Sequence, residues 1–210
     1  MTPERTEKFE RVVHCRQPNL TVILENVHDS HNIGAVLRTC DSIGIKEIFV
    51  LYTEAHLTKD RLILGSRTSS GARKWVDVHL YNDIEACFSH VRKNYDHVFS
   101  THLSEDAVSS YDLDLTQSVA LLFGNERDGV SKEALAYSDG NFIIPQVGMV
   151  ESLNISVACA VTLYEAFRQR KEKGFFDENP QLNEVERKAL FEEYKARHVS
   201  KLTRKKVFPK

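Results

Sequence analysis

Three polar clusters break the apolar pattern of this 210-residue chain where side chains could do chemistry. The first is HNIGAVLR, residues 31–38. Asn32 stands where a helix would start, a favoured capping position. Arg38 follows six residues later, about 120° from Asn32 around a helix. Its long side chain could lean back toward the helix N-terminus, and its planar fork suits a phosphate or a carboxylate. On its own the block reads first as a surface arginine behind a capping asparagine. The second cluster, FGNERDG (123–129), follows an apolar run. Gly124 would let backbone approach a ligand, and Glu126 would sit just past a strand end. It is not a GxGxxG fingerprint, so a dinucleotide site is disfavoured. Alone it is first a tight strand-to-helix turn. The third, IIPQVGMVESLNISVA (143–158), leaves a strand at Pro145 and turns at Gly148-Met149. It enters a helix that is apolar nearly all round, the mark of burial or of a subunit interface. Ser152, Asn154 and Ser156 at that start need partners. Ser152 has a ready explanation as a helix cap. Asn154 does not, because asparagine is a poor interior helix former.

The elements that would carry these clusters alternate. A charged helix covers residues 4–16, with Phe9, Val12 and Val13 as its apolar face. Strand-like runs follow at 20–27, 45–52, 75–81, 96–101, 118–123 and 141–146, and helical spacing marks residues 32–44, 82–94, 131–138 and 152–173. Six strands interleaved with helices predict an α/β fold with a mostly parallel sheet and helices on both faces. In such sheets ligands bind beyond the carboxyl ends of the strands. The loops after residues 24–27, 99–100 and 122–123 qualify, and the special residues fall in or beside them.

Composition is ordinary for a globular protein: 41% hydrophobic, 28% charged, net charge −2. No apolar run reaches the roughly 20 residues of a membrane-spanning helix, and the charged start MTPERTEKFER is unlike a secretory signal. Cys15, Cys40, Cys87 and Cys159 form no CxxC pair and read as free thiols of a cytoplasmic protein. His28 and His31 lack further ligands at metal spacing, so no metal is expected. The net charge hides a basic distribution. Lys195, Arg197, Lys201, Arg204, Lys205, Lys206 and Lys210 crowd the last sixteen residues, and Lys59, Arg61, Arg67, Arg73 and Lys74 form a second cluster. Tyr194 and Phe208 among these cations could stack on bases, though two aromatics are thin support. Residues 174–184 read as a linker into a final charged helix.

Taken together, NIGAVLRT, LLFGNERDGVS and IPQVGMVESLNISVACAVTLYE resemble, in order and spacing, the SPOUT-class RNA 2′-O-methyltransferases of the TrmH type, which methylate tRNA. The resemblance spans roughly residues 20–170 and is specific only because all three blocks occur together. It implies a C-terminal trefoil knot, a rare exception to ordinary chain connections, and a homodimer that binds S-adenosyl-L-methionine (AdoMet) in the knot. It places a methyltransferase domain at residues 1–175 and a charged helical, basic extension at 176–210. It puts cofactor contacts at Thr101, His102 and Leu103, at Gly124, Asn125 and Glu126, and at Ile144, Gly148, Met149, Ser152 and Leu153. It places catalytic positions at Asn32, Arg38, Glu126, Ser152 and Asn154.

The implied reaction is attack of a ribose 2′-hydroxyl, of a D-loop guanosine in tRNA, on a sulfonium methyl. Orientation and activation of that oxygen are the main needs. Similar enzymes are described with the arginine matching Arg38 as a base aided by a substrate phosphate. A guanidinium with a pKa above about 12 is a poor base, and binding phosphate or stabilising the alkoxide is physically easier for it. A ribosomal-RNA substrate or another tRNA position is the alternative; the short stretch before the first strand favours tRNA. A non-catalytic RNA-binding dimer is a distant third, since Arg38, Ser152 and Asn154 are all present.

Overall fold

Every residue of β1 (Leu20–Glu25) is buried. A strand covered on both faces belongs in the middle of a parallel sheet, and there the computed structural model puts it. The structure describes residues 1–55, 57, 71–150 and 152–199. In chain order the elements are α1 (Pro3–His14), β1, α2 (Ser30–Ser42), β2 (Glu47–Leu51), a 3-10 turn (Ala72–Lys74), β3 (Asp77–Tyr81), α3 (Ile84–Asn94) and β4 (His97–Thr101). They continue with β5 (Val108–Ser109), β6 (Val119–Phe123), α4 (Lys132–Leu135), β7 (Gly140–Ile143), α5 (Ile155–Glu172) and α6 (Glu184–Val199). The strands form one sheet in the order β3-β2-β1-β6-β4-β7-β5, and every neighbouring pair is parallel.

The sequence pattern predicts six strands and the sheet has seven. The addition is β5, two residues long on the edge beside β7. Two residues cannot display a period, so periodicity misses it. β1 also ends two residues earlier than the apolar run suggests. Asn26 takes a left-handed φ of 50°, which turns the chain out of the sheet. Its side-chain oxygen accepts the backbone N–H groups of Thr53 and Glu54 at 2.9 and 3.3 Å.

Alternating residues of the central strands face opposite cores. Leu20, Val22 and Leu24, with Leu121 and Phe123 of β6, pack on Val36 and Cys40 of α2 and on Cys159 and Leu163 of α5. Ile23, Ala120 and Leu122 pack on Cys87, Phe88 and Val91 of α3. Helices therefore flank the sheet on both sides. A smaller cluster joins Phe9 and Val13 of α1 to Leu190 and Tyr194 of α6, with Trp75 packed against it. The far end of α5 is held by Arg170, which is fully buried. It donates to the carbonyls of Leu115 and Gln117 and to the side chains of Gln17 and Asn19, at 2.6–3.0 Å.

The order places a topological switch between β1 and β6. The chain winds from β1 outward to β2 and β3, then returns to build the other half. A crevice opens at such a point, outside the carboxyl ends of the strands. Among the described residues no helix is long and apolar enough to cross a membrane, and no group of three His, Cys, Asp or Glu side chains could hold a metal ion.

Candidate active site

Four adjacent strands, β1, β6, β4 and β7, deliver the three sequence clusters and the Thr101–Leu103 segment to one end of the sheet. α2 follows β1, the loop from Gly124 follows β6, Thr101–Leu103 follow β4, and residues 144–154 run from β7 into α5.

α2 is capped by Asp29, one turn before the asparagine the sequence suggests. Its carboxylate accepts the His31 backbone N–H at 2.8 Å and lies 2.9 Å from His31 Nδ1. Those contacts, the backbone one foremost, hold the Asp29 carboxyl below the ordinary aspartate range. With the cap supplied by Asp29, the Asn32 side chain is free for another partner. Its Nδ2 donates to Glu126 Oε1 at 2.5 Å.

The turn bearing Glu126 is fixed from within. Asn125 Oδ1 accepts the backbone N–H groups of Arg127 and Asp128 at 2.9 and 2.8 Å. Gly129 closes the turn at φ 70°. The backbone of Gly129 presses so close that a Cβ on Gly124 would meet its carbonyl carbon at 2.0 Å. Gly124 is thus required by its own chain and not only by an approaching ligand.

The third cluster reaches the same point. α5 begins at Ile155, with Asn154 as its cap. Asn154 Oδ1 accepts the Ser156 N–H at 2.9 Å and the Ser156 hydroxyl at 2.6 Å, while Nδ2 donates to Asn32 Oδ1 at 3.2 Å. Asn154 is therefore not an interior helix residue, which removes the difficulty its type poses. Ser152, expected as the cap, lies two residues before it and is exposed. Glu126, Asn32 and Asn154 form one chain of side-chain hydrogen bonds across segments 94 and 122 residues apart.

The remaining candidates line the rim. Thr101 donates its hydroxyl to the Leu122 carbonyl at 3.3 Å, and the His102 N–H reaches the Phe142 carbonyl at 3.3 Å. Ile144 and Leu153 are half-buried and Gly148 is exposed. Leu103, Val147, Met149 and Val150 expose large apolar side chains, Met149 completely.

Arg38 is not brought to this group. It lies exposed on α2, in a cleft of about 330 Å³ shared with Arg5 and Lys8 of α1, Asp41, Trp75 and Tyr194. Among the described residues no hydrogen bond joins it to Asn32, Glu126 or Asn154. Asn32 and Arg38 stand a third of a helical turn apart around α2.

The basic distribution changes as well. Arg197 is buried, donating to the Lys74 carbonyl at 2.9 Å and to Glu193, 3.7 Å from Asp77. Tyr194 is buried too, its hydroxyl on the Trp75 carbonyl at 3.0 Å. It cannot stack on a base. Lys59, Arg61, Arg67, Phe208 and the tail cations from Lys201 onward lie outside the described residues.

Sequence reasoning passed over Glu25. This carboxylate ends an apolar strand and is 1% exposed, under the Glu126 turn. A charged residue closing an apolar run was the available signal, since burying one without partners is costly.

A sequence model described as the SpoU rRNA methylase family matches residues 19–164. The chain belongs to that family. Among its SpoU relatives, a Thermus thermophilus protein named tRNA (guanosine(18)-2′-O)-methyltransferase is 43% identical over 176 residues, 84% of this chain and 88% of its own. A solved A. aeolicus structure described as a TrmH/SpoU tRNA modifying enzyme superposes with TM-score 0.81 at 31% identity, covering 93% of this chain and 97% of that one. The SpoU methyltransferase AviRb from Streptomyces viridochromogenes, solved with AdoMet, gives TM-score 0.64 at 26% identity over 72% of this chain and 60% of its own.

Proposed function

We propose that this protein transfers a methyl group from AdoMet to the ribose 2′-hydroxyl of a D-loop guanosine in tRNA. The observation that carries the reading is the Glu126–Asn32–Asn154 hydrogen-bonded chain, which joins three remote segments at the switch point of the sheet. The Thermus relative's name and its 43% identity support the nucleotide and the tRNA class.

The residues at the strand ends fit AdoMet. Leu103, Val147, Met149 and Val150 offer apolar contact for an adenine ring and have little else to pack on. The 144–150 segment lies outside helix and strand, where backbone groups commonly meet the polar edges of a ligand. Thr101–Leu103, Gly124–Glu126, Ile144, Gly148, Met149, Ser152 and Leu153 would hold the cofactor. When bound it supplies an electrophilic sulfonium methyl. Glu126 holds Asn32, Asn32 and Asn154 hold each other, and Ser152 stands exposed beside them to orient substrate. Arg38, in the cleft it shares with Arg5 and Lys8, binds a phosphate of the RNA and so orients the substrate ribose.

Residues 1–175 form the methyltransferase domain, with its C-terminal part knotted, and 176–210 a charged, basic extension. Val157 and Tyr164 of α5 leave an exposed apolar surface. A second copy covering it makes a homodimer, and sedimentation at twice the chain mass is the expected result. The protein works in the cytoplasm on tRNA and uses no metal.

Total tRNA incubated with the protein and AdoMet should gain one alkali-resistant linkage after a D-loop guanosine. Resistance appearing only in ribosomal RNA would overturn the tRNA assignment.

A further inference from the structure

We propose that Glu25 is a positioning residue that sets the loop bearing Glu126. It closes β1, the strand at the switch point, and its carboxylate points beneath the turn that follows β6. Oε2 accepts the backbone N–H of Ser131 at 2.9 Å and Oε1 accepts the Ser131 hydroxyl at 2.5 Å. The same hydroxyl accepts the Ala134 N–H at 3.1 Å and so caps α4. One carboxylate thus fixes the downstream end of the 124–131 turn. The upstream end is fixed by Gly124 against the Gly129 backbone, and the middle by the Asn125 side chain. Glu126 is left as the arm of the turn that reaches out, to Asn32.

A carboxylate in this place is a poor choice for stability alone. Burial pushes its pKa up, with Glu133 and Glu54 adding to the rise and the two Ser131 hydrogen bonds opposing it. The folded pKa is raised, so the charged form is disfavoured by folding at neutral pH, and stability would grow as pH falls through that pKa. A neutral glutamine of the same shape would relieve this cost. It would also lose the charged acceptor for the Ser131 hydroxyl. What the buried carboxylate holds in return is the pair of Ser131 hydrogen bonds that fix the end of the loop.

The inference rests on Gly124–Glu126 being part of the cofactor site. It is tested by titrating AdoMet into the full-length wild type, Glu25→Gln, Glu25→Ala, Ser131→Ala and Ser131→Thr. Thermal midpoints and the KM for AdoMet and for tRNA are measured on the same samples. Glu25→Gln should melt no lower than wild type, yet bind AdoMet about tenfold more weakly, the order set by losing a hydrogen bond to a charged group. Its KM for tRNA should stay within about twofold. Ser131→Ala should weaken AdoMet similarly and Ser131→Thr should recover most of that loss, because threonine keeps the hydroxyl. Glu25→Gln is the decisive variant if Glu25→Ala fails to fold. AdoMet affinity within about twofold of wild type in both Glu25→Gln and Ser131→Ala would overturn the proposal. So would losses that track the melting temperature and fall equally on both substrates. A wild type that binds no AdoMet would instead bring down the cofactor reading itself.

Discussion

Asn154 does two jobs with two ends of one amide, and substitution can separate them. Oδ1 caps the 18-residue helix α5 and Nδ2 donates to Asn32. Asn154→Ala removes both. Losing the cap costs about 1 kcal/mol, a fall of roughly 2–4 °C in the thermal midpoint for a chain of this size. Losing the donor frees Asn32, and with it the bond that restrains Glu126. A hydrogen-bond network with a charged member contributes about 1–3 kcal/mol, a rate loss of roughly 5- to 150-fold. Asn154 is exposed in the free protein, so little of the second effect should register in stability and most in turnover. Asn154→Asp keeps an oxygen for the Ser156 N–H but has no donor for Asn32. It should melt within about 1 °C of wild type and yet lose most of the turnover that Asn154→Ala loses. Differential scanning fluorimetry beside steady-state methyl transfer to tRNA measures both. If Asn154→Asp turns over at the wild-type rate, the Asn154–Asn32 bond has no catalytic consequence and the hydrogen-bonded chain is only a structural strut.

Arg38→Lys should bind AdoMet as wild type does in a calorimetric titration and lose most turnover, since lysine keeps the charge without the bidentate fork; near-normal methylation would refute that role. Gly124→Ala should abolish AdoMet binding and lower the thermal midpoint, because the new Cβ would lie 2.0 Å from Gly129 backbone; an alanine variant that still binds would show the turn can shift. Acid stability should depend on Glu47. Burial pushes its pKa up, but hydrogen bonds from His79 at 2.7 Å and Tyr95 at 3.0 Å, with the nearby charge of His79, outweigh this and hold it below the ordinary value. A depressed carboxyl pKa adds stability that is fully present above the unfolded value, about 4.3, and is lost as pH falls through the folded one. The gap in urea midpoint between wild type and Glu47→Gln should therefore close on acidification; a gap constant from neutral pH into acid would contradict it.

The sequence carries the site further than it carries the geometry. The helical spacing of Ile33, Val36, Leu37 and Cys40 is local, so α2 is legible, and so is the alternation that makes the sheet parallel. The capping residues are less so. Asp29, Ser30 and Asn32 can all cap, and it is Asp29 that does so. Near α5 the same competition between Ser152 and Asn154 resolves to Asn154. Arg197 and Tyr194 look solvent-facing in a charged segment but are buried, because α6 packs on α1 and the 72–77 segment more than a hundred residues away. Glu25 is silent until Ser131, 106 residues later, is placed above it. The caps are choices among neighbours of similar type, settled by contacts two residues away, whereas Arg197, Tyr194 and Glu25 take their roles from partners more than a hundred residues away.

The most direct measurement is nucleoside mass spectrometry of an unmodified tRNA transcript after incubation with the protein and methyl-labelled AdoMet. The expected product is labelled 2′-O-methylguanosine, confined to one ribonuclease fragment from the D-loop and absent when Asn32→Ala or Glu126→Ala replaces the wild type. Label on a guanine base, or no label in tRNA at all, would contradict a ribose methyltransferase built on the Glu126–Asn32–Asn154 chain.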